Sequence, residues 1–226
     1  MIRQMLGRAA ASLGLCAALA ACSSDQQQGS AQLALLDGLR ATVTPRAEPF
    51  RVSPEVVARA LAASDQALWI LEQSRQGSQT LLGEVGRNGP YVTLATGAQQ
   101  TVALRAGFVT GTRGLTGDIM SSDVDALLPL ILRGTGGTAP YTARVITAND
   151  TIRTIDFVCV VTPFSGLRSV RLGPVSTTGR AVTTDCNADD GLRITNEFLV
   201  SEGGIVHARQ WVGVEQGYIA FQRIRG

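Results

Sequence analysis

The residues with chemical potential in this sequence are four cysteines, one histidine and eighteen scattered carboxylates. Cys22 has the clearest setting. It follows the run MIRQMLGRAAASLGLCAALAA, in which Arg3 and Arg8 form a positive region and Ala9 to Ala20 a charge-free apolar core, the layout of an export signal. A membrane-spanning helix needs about 20 apolar residues, whereas this stretch is shorter and passes straight into the polar segment Ser23 to Ser30. Leu19-Ala20-Ala21-Cys22 has the form of a bacterial lipobox, where the cysteine sulfur is alkylated by diacylglycerol and the chain is cut before it. The alternative is a plain secretory signal with an incidental cysteine, and Cys16 shows that cysteine also occurs inside the core. The reading adopted is lipidation at Cys22, with residues 1–21 removed. Three acyl chains, at roughly 0.8 kcal/mol per buried methylene, make such an anchor effectively permanent. Ser23 stands where an Asp would favour retention in the inner membrane. The expected location is therefore the inner leaflet of the outer membrane, facing the periplasm.

Cys159 and Cys186 fall in the exported part, where an oxidising compartment favours a disulfide. Two reduced thiols or a metal site are the alternatives, but two cysteines and the single His207 fall short of the four ligands of structural zinc. Closing a loop of about 28 residues would stabilise the fold by roughly 3 to 4 kcal/mol. No cofactor and no metal are expected beyond the covalent lipid at Cys22.

Catalytic signatures are missing. The sequence holds no phosphate-binding loop, no G-x-S-x-G elbow and no dinucleotide fingerprint. Any triad would have to use His207, which sits in a strand-like segment and reads as structural. Paired carboxylates for glycoside hydrolysis are not singled out by any spacing. Two segments remain as candidate sites. Gly107 to Asp118 carries four glycines, Arg113 and Asp118, and reads as a tight loop between a strand and a helix. Its charged pair either staples a turn or holds a hydroxylated ligand. Asn196-Glu197-Phe198 with Arg209, Trp211 and Tyr218 forms an aromatic and basic cluster on neighbouring strands, suited to sugar stacking, to a protein contact or to the core.

The elements that must position these groups are mostly strands. Cys22 to about Ala34 is rich in Ser, Gln and Ala and reads as a flexible tether, leaving residues 35–226 as a single β-rich domain. Ser53-Pro54-Glu55 starts a helix, with a Ser cap, Pro at the first position and an acid in the first turn, ending near Ser64. Alternation and turn residues predict strands at 67–72, 79–85, 91–95 and 100–105. A second helix over 122–133, kinked or ended by Pro129, precedes strands at 142–147, 153–161, 168–172, 192–201, 206–212 and 218–224. Gly166 and Gly173 are read as turns between strands. Many short strands joined by short turns indicate a mainly β fold, an antiparallel meander forming a curved sheet or barrel-like domain with one or two short helices.

Charge narrows the partners. Without Arg3 and Arg8, 18 arginines balance 18 acidic residues with no run of either sign, so nucleic acid is not an expected partner. All twenty basic residues are arginine, which reads as coding bias.

The segments GFVTGTRGLTGDIMSSD and ARQWVGVEQGYIAFQRI resemble the YjbF family of lipoproteins, related to the group 4 capsule polysaccharide lipoprotein GfcB. The resemblance implies a periplasm-facing outer-membrane lipoprotein of an exopolysaccharide or capsule system, and it brings no catalytic residues. The expected role is a non-enzymatic accessory in exopolysaccharide or capsule production or secretion, with polysaccharide or secretion proteins as partners. A periplasmic carrier of a lipid or acyl chain is the alternative, and a polysaccharide-modifying enzyme a further one.

Overall fold

The computed structural model describes residues 48–226. The expected signal, the lipidation site Cys22, the tether and the first residues of the β-rich domain lie outside the described residues. Twelve strands follow one another as antiparallel hairpins: β1 (Leu68–Gln73), β2 (Ser78–Asn88), β3 (Tyr91–Ala95), β4 (Thr101–Arg105), β5 (Phe108–Arg113), β6 (Ile119–Asp123), β7 (Gly137–Ile146), β8 (Ile152–Leu172), β9 (Val175–Ala188), β10 (Arg193–Ser201), β11 (Gly204–Trp211) and β12 (Tyr218–Arg225). The first and last strands pair with each other, so the sheet order runs β5-β4-β3-β2-β1-β12-β11-β10-β9-β8-β7-β6. The result is an up-and-down, nearly closed barrel whose one seam lies between β5 and β6. The expected mainly β, barrel-like fold is what forms, with two short helices among the described residues.

Alternation selects the interior. Inward residues of all twelve strands meet in one core, where Phe108 stacks on Phe198 with ring centres 5.6 Å apart and Tyr141 stacks on Phe157 at 5.5 Å. These rings fill the middle of the barrel. Burial pushes the Tyr141 phenol far up, so it stays protonated there.

Helix α1 (Pro54–Ala63) forms where the cap signal places it. The Ser53 hydroxyl accepts from the Val56 N–H, Pro54 stands at the start, and Glu55 faces the first turn. Arg225 closes its other end by donating to the carbonyls of Leu61, Ser64 and Gln66. The helix covers the outside of the sheet, where Val52 and Val57 meet Ile70 and Leu172 in a second, smaller core.

Three sequence expectations need correction. Residues 168–172 are not a separate strand, because β8 runs through Gly166, whose φ of +74° is absorbed in a bulge between Pro163 and Leu167. Strand β9 was not foreseen: its Thr- and Ser-rich stretch lacks an apolar run, yet every residue from Val175 to Ala188 is extended. Helix α2 is only Leu127–Arg133, since Ser122 and Asp123 belong to β6. Pro129 does not kink it, because it stands in the first turn, where backbone N–H groups have no helical partner to lose. Residues Val175 to Gly179, before the last β9–β10 pair at Arg180, no longer face β10, and with Arg168 to Leu172 they make the hairpin tip an arm over the outer face. There Val175 accepts from the Gln222 amide. No helix among the described residues is long and apolar enough to cross a membrane.

Candidate functional site

The glycine-rich segment Gly107 to Asp118 is not a loop leading to a helix. It forms β5 and a tight turn into β6, and its polar residues sew the barrel seam. The buried Asp118 carboxylate accepts from the Thr112 hydroxyl at 2.8 Å, the Gly114 N–H at 2.8 Å and the Leu115 N–H at 3.0 Å. Thr112 in turn accepts from the Ile119 N–H at 3.0 Å. Arg113 donates to the carbonyls of Thr112, Ile119 and Met120. Arg113 and Asp118 therefore do not pair with each other, as their sequence proximity suggested; each holds backbone across the seam, where no continuous ladder does so.

Over this seam the outer face carries a groove of about 390 Å³. Its floor is low because Gly111 stands opposite Ala103. Thr93, Thr101, Ser121 and Ser122 line its sides, and Tyr91 and Arg113 also border it. The Arg105 guanidinium lies 5.9 Å from the Tyr91 ring centre. Hydroxyls on both sides, an aromatic face and a guanidinium form a set that accepts and donates to sugar hydroxyls while stacking on the apolar face of a ring.

A second space of about 640 Å³ opens at one end of the barrel. Two turns meet there. Ile205 N–H donates to Ala106 at 2.9 Å, and at Gly107, with φ of +86°, a Cβ would lie 2.3 Å from the Ile205 carbonyl. Only glycine permits that approach. Trp69, Val92, Leu104, Leu128, Leu132 and Ile205 form the walls, and Arg87, Arg105, Arg133 and Arg223 stand around them with Glu84. Glu84 pairs with Arg87 at 2.9 Å and Asp125 pairs with Arg105. Arg133 and Arg223 have no acidic partner among the described residues.

The other expected cluster divides. Trp211 is buried edge-on against Phe157 at 5.9 Å, so its ring belongs to the core, and its backbone N–H donates to the Asn196 side-chain oxygen at 2.8 Å. Arg209 stacks on Tyr218 at 4.0 Å, while the Tyr218 hydroxyl accepts from the Thr195 N–H. None of the three lines the groove or the end cavity. His207 is buried on β11 opposite Leu199 and Gln222, and burial pushes its imidazole below the usual range. Cys159 and Cys186 face each other across β8 and β9, joined by a disulfide in the core. Among the described residues no group of His, Cys, Asp and Glu could hold a metal ion.

Sequence reasoning missed the groove and the cavity. Tyr91 and Thr93 were within reach, since strand alternation puts them on one face opposite Val92 and Leu94. The cavity had no linear signal, because its walls come from separate strands, turns and α2.

Comparison with known proteins follows the same outline. The crystal structure of the hypothetical lipoprotein YmcC from Escherichia coli (K12) superposes with a TM-score of 0.65 at 12% identity, covering 76% of this chain and 90% of that one. At this identity the likeness speaks for the fold alone. No curated protein matches the chain. The family model for YjbF, the group 4 capsule polysaccharide lipoprotein GfcB, matches residues 32–224. With a match over most of its length, the chain belongs to the YjbF family of capsule polysaccharide lipoproteins.

Proposed function

We propose that the protein is a lipid-anchored, non-enzymatic accessory of capsule or exopolysaccharide production that binds glycan in the groove over the β5–β6 seam. The observation that carries this reading is the groove itself, with Thr93, Thr101, Ser121 and Ser122 flanking a Gly111–Ala103 floor beside Tyr91 and Arg113. Family membership supplies the polysaccharide context. The lipobox at Leu19 to Cys22, followed by Ser23, supports acylation of Cys22 and a site on the periplasmic side of the outer membrane. On this reading residues 1–21 are the export signal, 22–34 the tether and 35–226 the working domain. Three titratable groups near the groove, the cavity and the core have structural partners or burial in keeping with this reading: Glu84 is held by Arg87, Asp118 by the seam turn, and His207 is buried beside Gln222. An acyl chain lying along the barrel axis is a poor fit, because Phe108, Tyr141, Phe157, Phe198 and Phe221 fill the interior.

The test uses the chain from residue 22 onward carrying Cys22→Ala and the polysaccharide of its own strain. Saturable binding is expected, weakened about tenfold or more by Tyr91→Ser, as loss of an aromatic anchor costs about 1.4 kcal/mol or more. Polysaccharide length after incubation, read by size-exclusion chromatography, should be unchanged. Binding indifferent to Tyr91, or shortened chains, would overturn the reading.

A further inference from the structure

We infer that the cavity at the end of the barrel is a binding site for an anionic single-chain amphiphile, its hydrocarbon chain held among Trp69, Leu104, Leu128 and Ile205 and its phosphate or carboxylate head at Arg133 and Arg223. The inference stands on a different face from the glycan groove and does not depend on it. Three observations carry it. The space, about 640 Å³, falls in the range of small-molecule sites. Its walls are apolar and come from elements on opposite sides of the opening, with Trp69, Leu104, Leu128 and Ile205 buried at the base and Val92 and Leu132 half-buried beside them. The charge around them is one-sided: two of the four arginines are neutralised by Glu84 and Asp125, and Arg133 and Arg223 remain without an acidic partner among the described residues.

A neutral apolar ligand would leave the charge of both guanidinium groups uncompensated, Arg223 donating only to the Glu202 carbonyl, and a free inorganic anion would make no use of the apolar walls. A cationic amphiphile would meet like charge. Only a molecule with both parts satisfies both halves of the cavity, with guanidinium groups suited to phosphate and carboxylate oxygens. The filled interior sets the depth, since the aromatic core beneath blocks passage along the axis. One chain fits at the opening, and a through-channel does not.

The test is titration of the chain from residue 22 onward carrying Cys22→Ala with octyl, decyl and dodecyl phosphate below their micelle concentrations. Heat of binding and tryptophan emission are the two readouts. Trp69 lines the cavity whereas Trp211 lies in the core against Phe157, so Trp69→Phe should abolish the emission change but not the heat. Affinity should rise about fourfold per added methylene until the cavity is full. The double variant R133Q/R223Q should weaken dodecyl phosphate tenfold or more with unchanged thermal unfolding. Inorganic phosphate, dodecyltrimethylammonium and an acidic oligogalacturonide should each fail to displace the probe, and Tyr91→Ser should bind it like wild type. Affinity independent of chain length overturns the inference, as does equal binding of the cationic amphiphile or displacement by the oligogalacturonide. The chain-length series needs no variant to fold.

Discussion

Removing the Asp118 carboxylate should open the seam on which the groove is built. Asp118→Ala deletes three hydrogen bonds at once, from the Thr112 hydroxyl and from the N–H groups of Gly114 and Leu115. A hydrogen bond to a charged group contributes about 1.5 to 3 kcal/mol, and a buried donor left unpaired costs about 1 to 3 kcal/mol. Against this stand the relief of a buried charge and the access of water to Gly114, which is only partly buried. The expected loss is about 3 kcal/mol. Asp118→Asn keeps one acceptor but turns an N–H₂ toward a backbone donor, and should lose about 1.5 to 2 kcal/mol. Thr112→Val removes the hydroxyl that accepts from Ile119 and donates to Asp118. Because the two residues share a bond, the double variant should cost less than the sum, by about 0.5 kcal/mol or more. Urea unfolding at pH 7, followed by tryptophan emission with the disulfide intact, measures each value. For a domain of this size, about 3 kcal/mol corresponds to roughly 6 to 12 °C in Tm. A loss below about 1 kcal/mol for Asp118→Ala, or an Asn variant no better than Ala, would refute this account of the seam.

Two further predictions concern buried groups. The paired variant Cys159→Ala with Cys186→Ala releases a cross-link spanning 27 positions and should cost about 3 to 4 kcal/mol, read against wild type with its disulfide confirmed by mass spectrometry; a change below about 1 kcal/mol would deny the cross-link a stabilising role. His207, the sole histidine, is held neutral by burial, so the unfolded chain takes up a proton at its ordinary value of about 6.5 before the folded chain does. Stability should therefore fall as pH drops from about 6.5 toward the lower folded value, and His207→Gln should lose that part of the slope. Parallel slopes for wild type and variant in denaturation at pH 7.5 and 5.5 would contradict it.

Local chemistry was legible in the sequence wherever one segment carries the whole signal. Ser53-Pro54-Glu55 sets the start of α1, and alternation sets β1 to β4, because each depends on neighbours in the chain. Gly107 to Asp118 misled because glycine was read as loop, whereas Gly111 is strand floor and only Gly107, Gly114 and Gly117 take positive φ. Strand β9 stayed hidden because its partners, β8 on one side and β10 on the other, decide its extension more than its own Thr and Ser residues do. The cluster around Trp211 was legible as sugar-stacking surface, protein contact or core alike, and the choice of core for Trp211 needed the fold, since the sequence does not show Phe157 lying against it. The groove and the end cavity are properties of closure: the groove's Tyr91 and Ser121 lie thirty positions apart and meet only when β5 and β6 close the barrel.

Surface polysaccharide tests the central claim most directly, measured for amount and chain length in wild type, a deletion strain, Cys22→Ala and Tyr91→Ser, with protein level and membrane fractionation checked in each. The account predicts wild-type protein level with reduced polysaccharide in Tyr91→Ser, and loss like the deletion in Cys22→Ala with the protein released from the membrane. Unchanged polysaccharide in all four strains would contradict both the proposed role and the proposed anchorage.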